Sequence, residues 1–175
     1  MGVTLIADGA FFISLIFGVV YLWLVAPNWP PVEVIEAGLA LPLVVVICLF
    51  ASPIAARAAT VAIRRQGAVM PWLAVQAVAL LTALAAMVAL ISGALPDPQS
   101  HAYAAASFAL LAYVCLHLGL AALFVFSNAT RLHAGFIGPR RNHDLRLTTA
   151  WQDFTAISGV VAVGIVLLLP KMMTG

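Results

Sequence analysis

Five long stretches without any Asp, Glu, Lys or Arg constrain the fold of this chain more than any other feature. They cover residues 9–32, 37–56, 66–96, 98–130 and 154–170. An α-helix needs about 20 predominantly apolar residues to cross the hydrocarbon core of a bilayer. Each stretch is long enough for one crossing and too short for two. Because the apolar runs are continuous, whereas barrel strands alternate over about 10 residues, we expect helices.

The stretches therefore predict an all-α, polytopic membrane protein with one domain, a five-helix bundle over residues 1–175. The predicted helices cover about 3–26, 38–62, 72–94, 103–128 and 149–170. Only 8% of the residues are charged, against about 25% in a soluble domain. This composition excludes a soluble globular domain and a nucleic-acid-binding protein. It also argues against a disulfide scaffold, because Cys48 and Cys115 lie inside apolar runs.

The distribution of basic residues predicts the orientation of the bundle. With five crossings, the N-terminus, the second loop and the fourth loop lie on one side of the membrane. Seven of the eight basic residues fall on that side: Arg57, Arg64, Arg65, Arg131, Arg140, Arg141 and Arg146. Only Lys171 falls on the other side, so the N-terminus is expected inside and the C-terminus outside. Trp29, between prolines at the end of the first helix, is expected at the membrane interface.

Histidine positions argue against a cofactor in this chain. A bis-histidine haem needs two facing imidazoles, and a zinc or copper site needs three or four His, Cys or carboxylate ligands. Of the four histidines, only His117 lies near the centre of a predicted helix. We therefore expect no haem, no metal and no autonomous catalysis. His117 could be a ligand or could form a hydrogen bond between helices, and the second interpretation is favoured.

Two carboxylates are predicted inside helices near the inner face, Asp8 in the first and Asp153 in the fifth. Ionisable groups in membrane spans usually face a partner, a lipid headgroup or a water path. They could form a lipid-headgroup or proton-antenna site. The alternative, favoured by position alone, is a carboxylate at a helix end in the interface. The cluster of Arg140, Arg141 and Arg146 likewise either binds anionic lipid or only sets the topology.

Two stripes of small residues mark surfaces where helices can approach closely. One consists of Ala85, Ala89 and Gly93 in the third helix, and the other of Thr155 and Gly159 in the fifth. Both are interface candidates, for packing within this chain or against a partner subunit.

In order and spacing, several of these features resemble subunit III of the haem–copper oxidases. The first helix carries an acidic residue, Asp8, and paired aromatics three and four residues later, followed by Trp-Pro-Pro at 29–31. In the fourth helix, His117 stands at the second histidine of a His-Gly-x-His element, and Arg131 matches a basic residue after that helix. In the fifth helix, Asp153 stands where the family usually has histidine. The segments at 134–148 and 151–160 are similar to the subunit III part of fused subunit I–III oxidases or to a divergent stand-alone relative.

The resemblance to the cytochrome c oxidase subunit III family implies a non-catalytic accessory subunit of aerobic respiration in the bacterial inner membrane. Haem and copper would belong to its partners, subunits I and II. The chain would pack on subunit I, bind phospholipid and support proton uptake. Asp8 would face subunit I or a lipid, and His117 and Arg131 would organise the fourth helix and a lipid-facing cleft.

Two alternatives remain open at this point. One is a similar accessory protein of a quinol oxidase or a nitric oxide reductase. The other is a small multi-pass transporter, which would typically contain an internal repeat and broken helices.

Overall fold

The computed structural model describes residues 2–25 and 38–169, and the elements in these ranges are five α-helices. They are α1 Gly2–Val25, α2 Ala40–Arg64, α3 Met70–Ala94, α4 Ala102–His133 and α5 His143–Leu168. Each helix is long and apolar enough to cross a membrane. The prediction of an all-α chain with five such helices is confirmed, and it indicates a multi-pass membrane protein. Trp29, the predicted interface residue, lies outside the described residues.

Helices α2 to α5 form a ring of four, and α1 lies outside this ring. In the ring, α2 and α4 each pack on both α3 and α5, while α1 packs on α4 and α5. Helix α5 runs antiparallel to both of its neighbours in the ring: Tyr103 Oη near the start of α4 donates to the carbonyl of Val166 near the end of α5, and Arg57 near the end of α2 meets Asp153 near the start of α5. Such up-and-down packing with short loops is typical of helix bundles.

The starts of α1, α3 and α5 and the ends of α2 and α4 therefore share one end of the bundle. The seven arginines of the chain lie in or near this end: Arg57, Arg64, Arg65, Arg131, Arg140, Arg141 and Arg146. We call it the arginine end.

Two predicted helix boundaries at this end are wrong. Helix α4 continues to His133, five residues beyond the predicted 128, and α5 begins at His143, six residues before the predicted 149. Hydropathy marks only the part of a helix that lies in hydrocarbon, whereas these extensions are polar and pair with each other. Arg131 Nη2 lies 3.0 Å from Asp144 Oδ2 across the two extensions.

The stripe of Thr155 and Gly159 is used for packing inside the bundle. A Cβ atom at Gly159 would lie 2.8 Å from Leu49 Cδ1 on α2 and 3.3 Å from Val114 Cγ1 on α4. A Cβ atom there would require the Leu49 side chain to shift, so the glycine permits α5 to approach two neighbours at once.

The second stripe lies on the surface. Ala85, Ala89 and Gly93 are exposed on α3, and a Cβ atom at Gly93 would meet nothing within 4 Å in the described part of the chain. Helix α1 is similarly open, because only Phe12 and Val19 are buried along its length. Both surfaces are open to lipid or to a partner.

Candidate functional site

A polar contact joins α1 to the middle of α4. Asp8 Oδ2 lies 2.5 Å from Nε2 of His117. The His117 side chain is only 3% exposed and that of Asp8 is 20% exposed. Of the two interpretations of His117, the structure shows the histidine that forms a hydrogen bond between helices. Asp8, which position alone placed in the interface, is its partner.

The second nitrogen of the imidazole determines how many protons the pair holds. Nδ1 of His117 lies 2.9 Å from the backbone carbonyl oxygen of Tyr113, one helical turn earlier. A carbonyl oxygen only accepts hydrogen bonds, so Nδ1 carries a proton and donates it. The contact to Asp8 then holds a single further proton, on either Nε2 or Oδ2. In both arrangements the pair has no net charge, which lowers the cost of burying it.

Three aromatic side chains enclose the imidazole, and we call them the aromatic pocket: Tyr113, Trp151 and Phe154. The Trp151 ring stacks on His117 with centroids 5.1 Å apart and an interplanar angle of 6°. The centroids of Tyr113 and Phe154 lie 4.1 and 5.7 Å from that of the imidazole. Tyr113 also donates a hydrogen bond of 3.4 Å to the backbone oxygen of Asp8.

Four consecutive residues of α5, Trp151–Phe154, each contact a different helix. Trp151 stacks on His117 of α4. Phe154 reaches α1, where a Cβ atom on Gly9 would lie 3.7 Å from Phe154 Cε2. Successive side chains of an α-helix point about 100° apart, so four of them cover nearly a full turn. We call these four residues the junction of α5.

The two middle residues of the junction supply its polar contacts. Gln152 Nε2 donates a hydrogen bond of 2.9 Å to Gln76 Oε1 on α3, and both side chains are buried. Asp153 Oδ1 lies 2.8 Å from Arg57 Nη2 on α2. The sequence analysis did not select Gln76 or Gln152 as site residues. The signal was available, because amides inside long apolar spans are expected to pair across helices.

The four predicted site residues are thus divided among three contacts. Asp8 and His117 meet each other, Asp153 pairs with Arg57, and Arg131 pairs with Asp144. Arg131 follows His117 by 14 residues of the same helix, about 21 Å along its axis. It therefore belongs to the arginine end and not to the aromatic pocket.

Chemically, the site brings a carboxyl group and an imidazole into a single hydrogen bond between two helices. Within residues 2–25 and 38–169, His, Cys, Asp and Glu side chains do not gather in groups of three or more that could hold a metal ion. Comparison of the chain with protein-family models and with curated proteins gives no match.

Proposed function

We propose that this chain is an accessory subunit of a haem–copper cytochrome c oxidase, similar to subunit III, with no redox centre of its own. The observation that carries the proposal is the contact between Asp8 and His117. These are the acidic residue and the histidine on which the resemblance depends, and they lie on different helices. Two motif residues that serve one site are expected to meet in space, and these two do.

In this proposal, haem and copper belong to subunits I and II, and this chain contributes packing, bound phospholipid and a proton-holding group. The exposed side of α1, which includes Phe11, Phe17 and Tyr21, packs on subunit I. Asp8 lies on the helix that makes this contact. A proton held between Asp8 and His117 is then close to the partner and supports its proton uptake.

The arginine end is proposed to face the cytoplasm. Basic residues are retained on the cytoplasmic side of membrane proteins, and all seven arginines are grouped at this end. The N-terminus then lies inside and the C-terminus outside, in the inner membrane of a bacterium.

Co-purification tests the proposal. The tagged chain is isolated from its native membrane in a mild detergent, and haem absorption and copper content are measured. We expect both to copurify with two larger subunits. The double variant F17A/Y21A on the exposed side of α1 should lose haem, whereas V78A/L81A on the exposed side of α3 should retain it. A chain purified without any haem-containing protein would contradict the proposal.

The spectrum and electron donor of the copurified complex also separate the related assemblies. A complex that oxidises quinol, or one that reduces nitric oxide, would assign the same accessory role to a different enzyme. Only oxidation of cytochrome c agrees with the assembly proposed here.

A further inference from the structure

A groove of about 450 Å³ runs between α2 and α5 at the arginine end. Each helix contributes a stripe of polar side chains spaced three and four residues apart: Arg57, Thr60 and Arg64 from α2, and Arg146, Thr149 and Asp153 from α5. Because the helices are antiparallel, Arg57 meets Asp153 at the deep end of the groove. Arg64 and Arg146 lie together at its outer end.

The two ends of the groove differ in charge. At the deep end, Arg57 is neutralised by Asp153 at 2.8 Å and also donates a hydrogen bond of 3.2 Å to the Pro53 carbonyl. At the outer end, Arg64 and Arg146 are both exposed, and neither forms an ion pair with any residue that the structure describes. Two guanidinium groups on one groove repel each other. An anion between them attracts both, so the sum of the electrostatic interactions becomes favourable.

Beyond the ion pair, the same faces of the two helices become apolar. The next outward-facing side chains are Ile54 and Phe50 on α2 and Ile157 and Val161 on α5, and all four are exposed. The surface therefore passes from two free cations at the helix ends to a hydrocarbon-like face, over a distance of a few helical turns. This order of cationic and then apolar side chains is complementary to an anionic amphiphile, in which a charged headgroup is joined to an apolar chain.

We propose that this groove binds an anionic phospholipid. Its phosphate lies between Arg64 and Arg146, and an acyl chain follows Ile54 and Ile157. Guanidinium groups bind phosphate oxygens in a bidentate manner, which gives the site geometric selectivity as well as charge. This proposal gives a location to the phospholipid binding that is part of the proposed function. Because the groove is formed by this chain alone, a failure to bind lipid here and a failure to associate with an oxidase can be distinguished.

The experiment uses the full chain in nanodiscs of phosphatidylcholine that contain a minor fraction of phosphatidylglycerol. After transfer to detergent, native mass spectrometry counts the phosphatidylglycerol molecules that remain bound. Each basic residue near a membrane surface strengthens the binding of anionic lipid about fivefold. The variant R64Q/R146Q should therefore bind phosphatidylglycerol about 25-fold more weakly.

The variant R140Q/R141Q is the matched control, because it removes the same charge from the loop at the same end. It should retain phosphatidylglycerol, and an equal loss from both variants would overturn the site. The charge-conserving variant R64K/R146K keeps the experiment informative if the glutamine variant folds poorly. It should retain binding within about fivefold, and its complete loss of binding would contradict the proposal.

A competition experiment distinguishes binding of a lipid from binding of a free anion. Inorganic phosphate is added to the chain in phosphatidylcholine nanodiscs, and its competition with phosphatidylglycerol is measured. We expect weak competition, because inorganic phosphate lacks the acyl chain. Equal competition would mean that the groove binds a free anion, and the lipid proposal would be wrong.

Discussion

The carboxylate of Asp8 and the imidazole of His117 are 109 positions apart in the chain and 2.5 Å apart in space. The contact joins α1, which has only two buried side chains, to the centre of the bundle. It therefore has two separable consequences. It attaches a loosely packed helix, and it holds a proton in a largely apolar environment.

The attachment can be tested by changing Asp8 to residues that keep or lose the hydrogen bond. Asp8→Leu leaves the buried Nε2 of His117 without a partner, so we expect the free energy of unfolding to fall by about 1–2 kcal/mol. Asp8→Asn can donate its amide to Nε2 and should remain close to the unchanged chain. Hydrogen exchange of α1 in detergent measures the difference, and equal protection of α1 in both variants would exclude this role.

The proton-holding role makes a different prediction for Asp8→Asn. The amide keeps the contact but has no proton to release in exchange. In the proposed oxidase complex, we expect lower proton uptake and shorter-lived turnover at high pH, while electron transfer continues. Oxygen consumption over many turnovers is the measurement. Turnover that is the same as that of the unchanged complex across this pH range would remove the proposed role.

The buried amide pair of Gln76 and Gln152 gives a double-mutant cycle. Gln152→Leu alone leaves the Gln76 amide unpaired in the bundle, and we expect a loss of about 1–3 kcal/mol of stability. The variant Q76L/Q152L replaces both polar groups and should recover most of that loss. Unfolding in a denaturing detergent is measured for Gln76→Leu, Gln152→Leu and the double variant. If the double variant lost as much as the two single variants together, the amides would not act as a pair.

Close packing at Gly159 predicts an unusual glycine effect. Alanine in place of glycine normally favours a helix by about 1 kcal/mol. At Gly164 a Cβ atom meets nothing within 4 Å, so Gly164→Ala should show this gain. At Gly159 the new atom would lie 2.8 Å from Leu49 Cδ1. We therefore expect Gly159→Ala to be less stable than Gly164→Ala by about 1–3 kcal/mol, and equal melting temperatures would contradict the packing argument.

Asp153 is expected to lower the affinity of the groove between α2 and α5 for an anionic lipid. Its carboxylate neutralises Arg57 and adds a negative charge near the proposed phosphate. Asp153→Asn should therefore strengthen retention of phosphatidylglycerol, by about fivefold. Native mass spectrometry of the variant tests this, with Asp144→Asn as the control, because Asp144 pairs with Arg131 outside the groove. Weaker retention in Asp153→Asn would contradict the charge argument.

The sequence predicts the number and type of helices well, because a segment that crosses hydrocarbon must be nearly free of charged residues, and such stretches can be read directly from the sequence. It does not predict where α4 ends or where α5 begins. The extensions of these helices pair with each other through Arg131 Nη2 and Asp144 Oδ2, 3.0 Å apart, and no hydropathy signal marks that contact. Hydropathy indicates whether a segment lies in hydrocarbon or in water, but it does not indicate which other segments that segment contacts.

The candidate site was predictable only as separate residues. Asp8 and His117 each stand out as polar groups in apolar helices. Their contact depends on how each helix is rotated about its axis, and a helix that is apolar on all sides carries little information about rotation. Gln76 and Gln152 do carry that information, because a buried amide must point to another polar group.

The junction of α5 also has a consequence for the order of assembly. Helices are made in sequence, so α1 to α4 leave the ribosome before Trp151–Phe154 are available. Until then, Gln76 on α3 lacks the hydrogen bond from Gln152, and Arg57 on α2 lacks its carboxylate partner Asp153. The fifth helix is therefore the last to be synthesised and the one that supplies these groups with their partners.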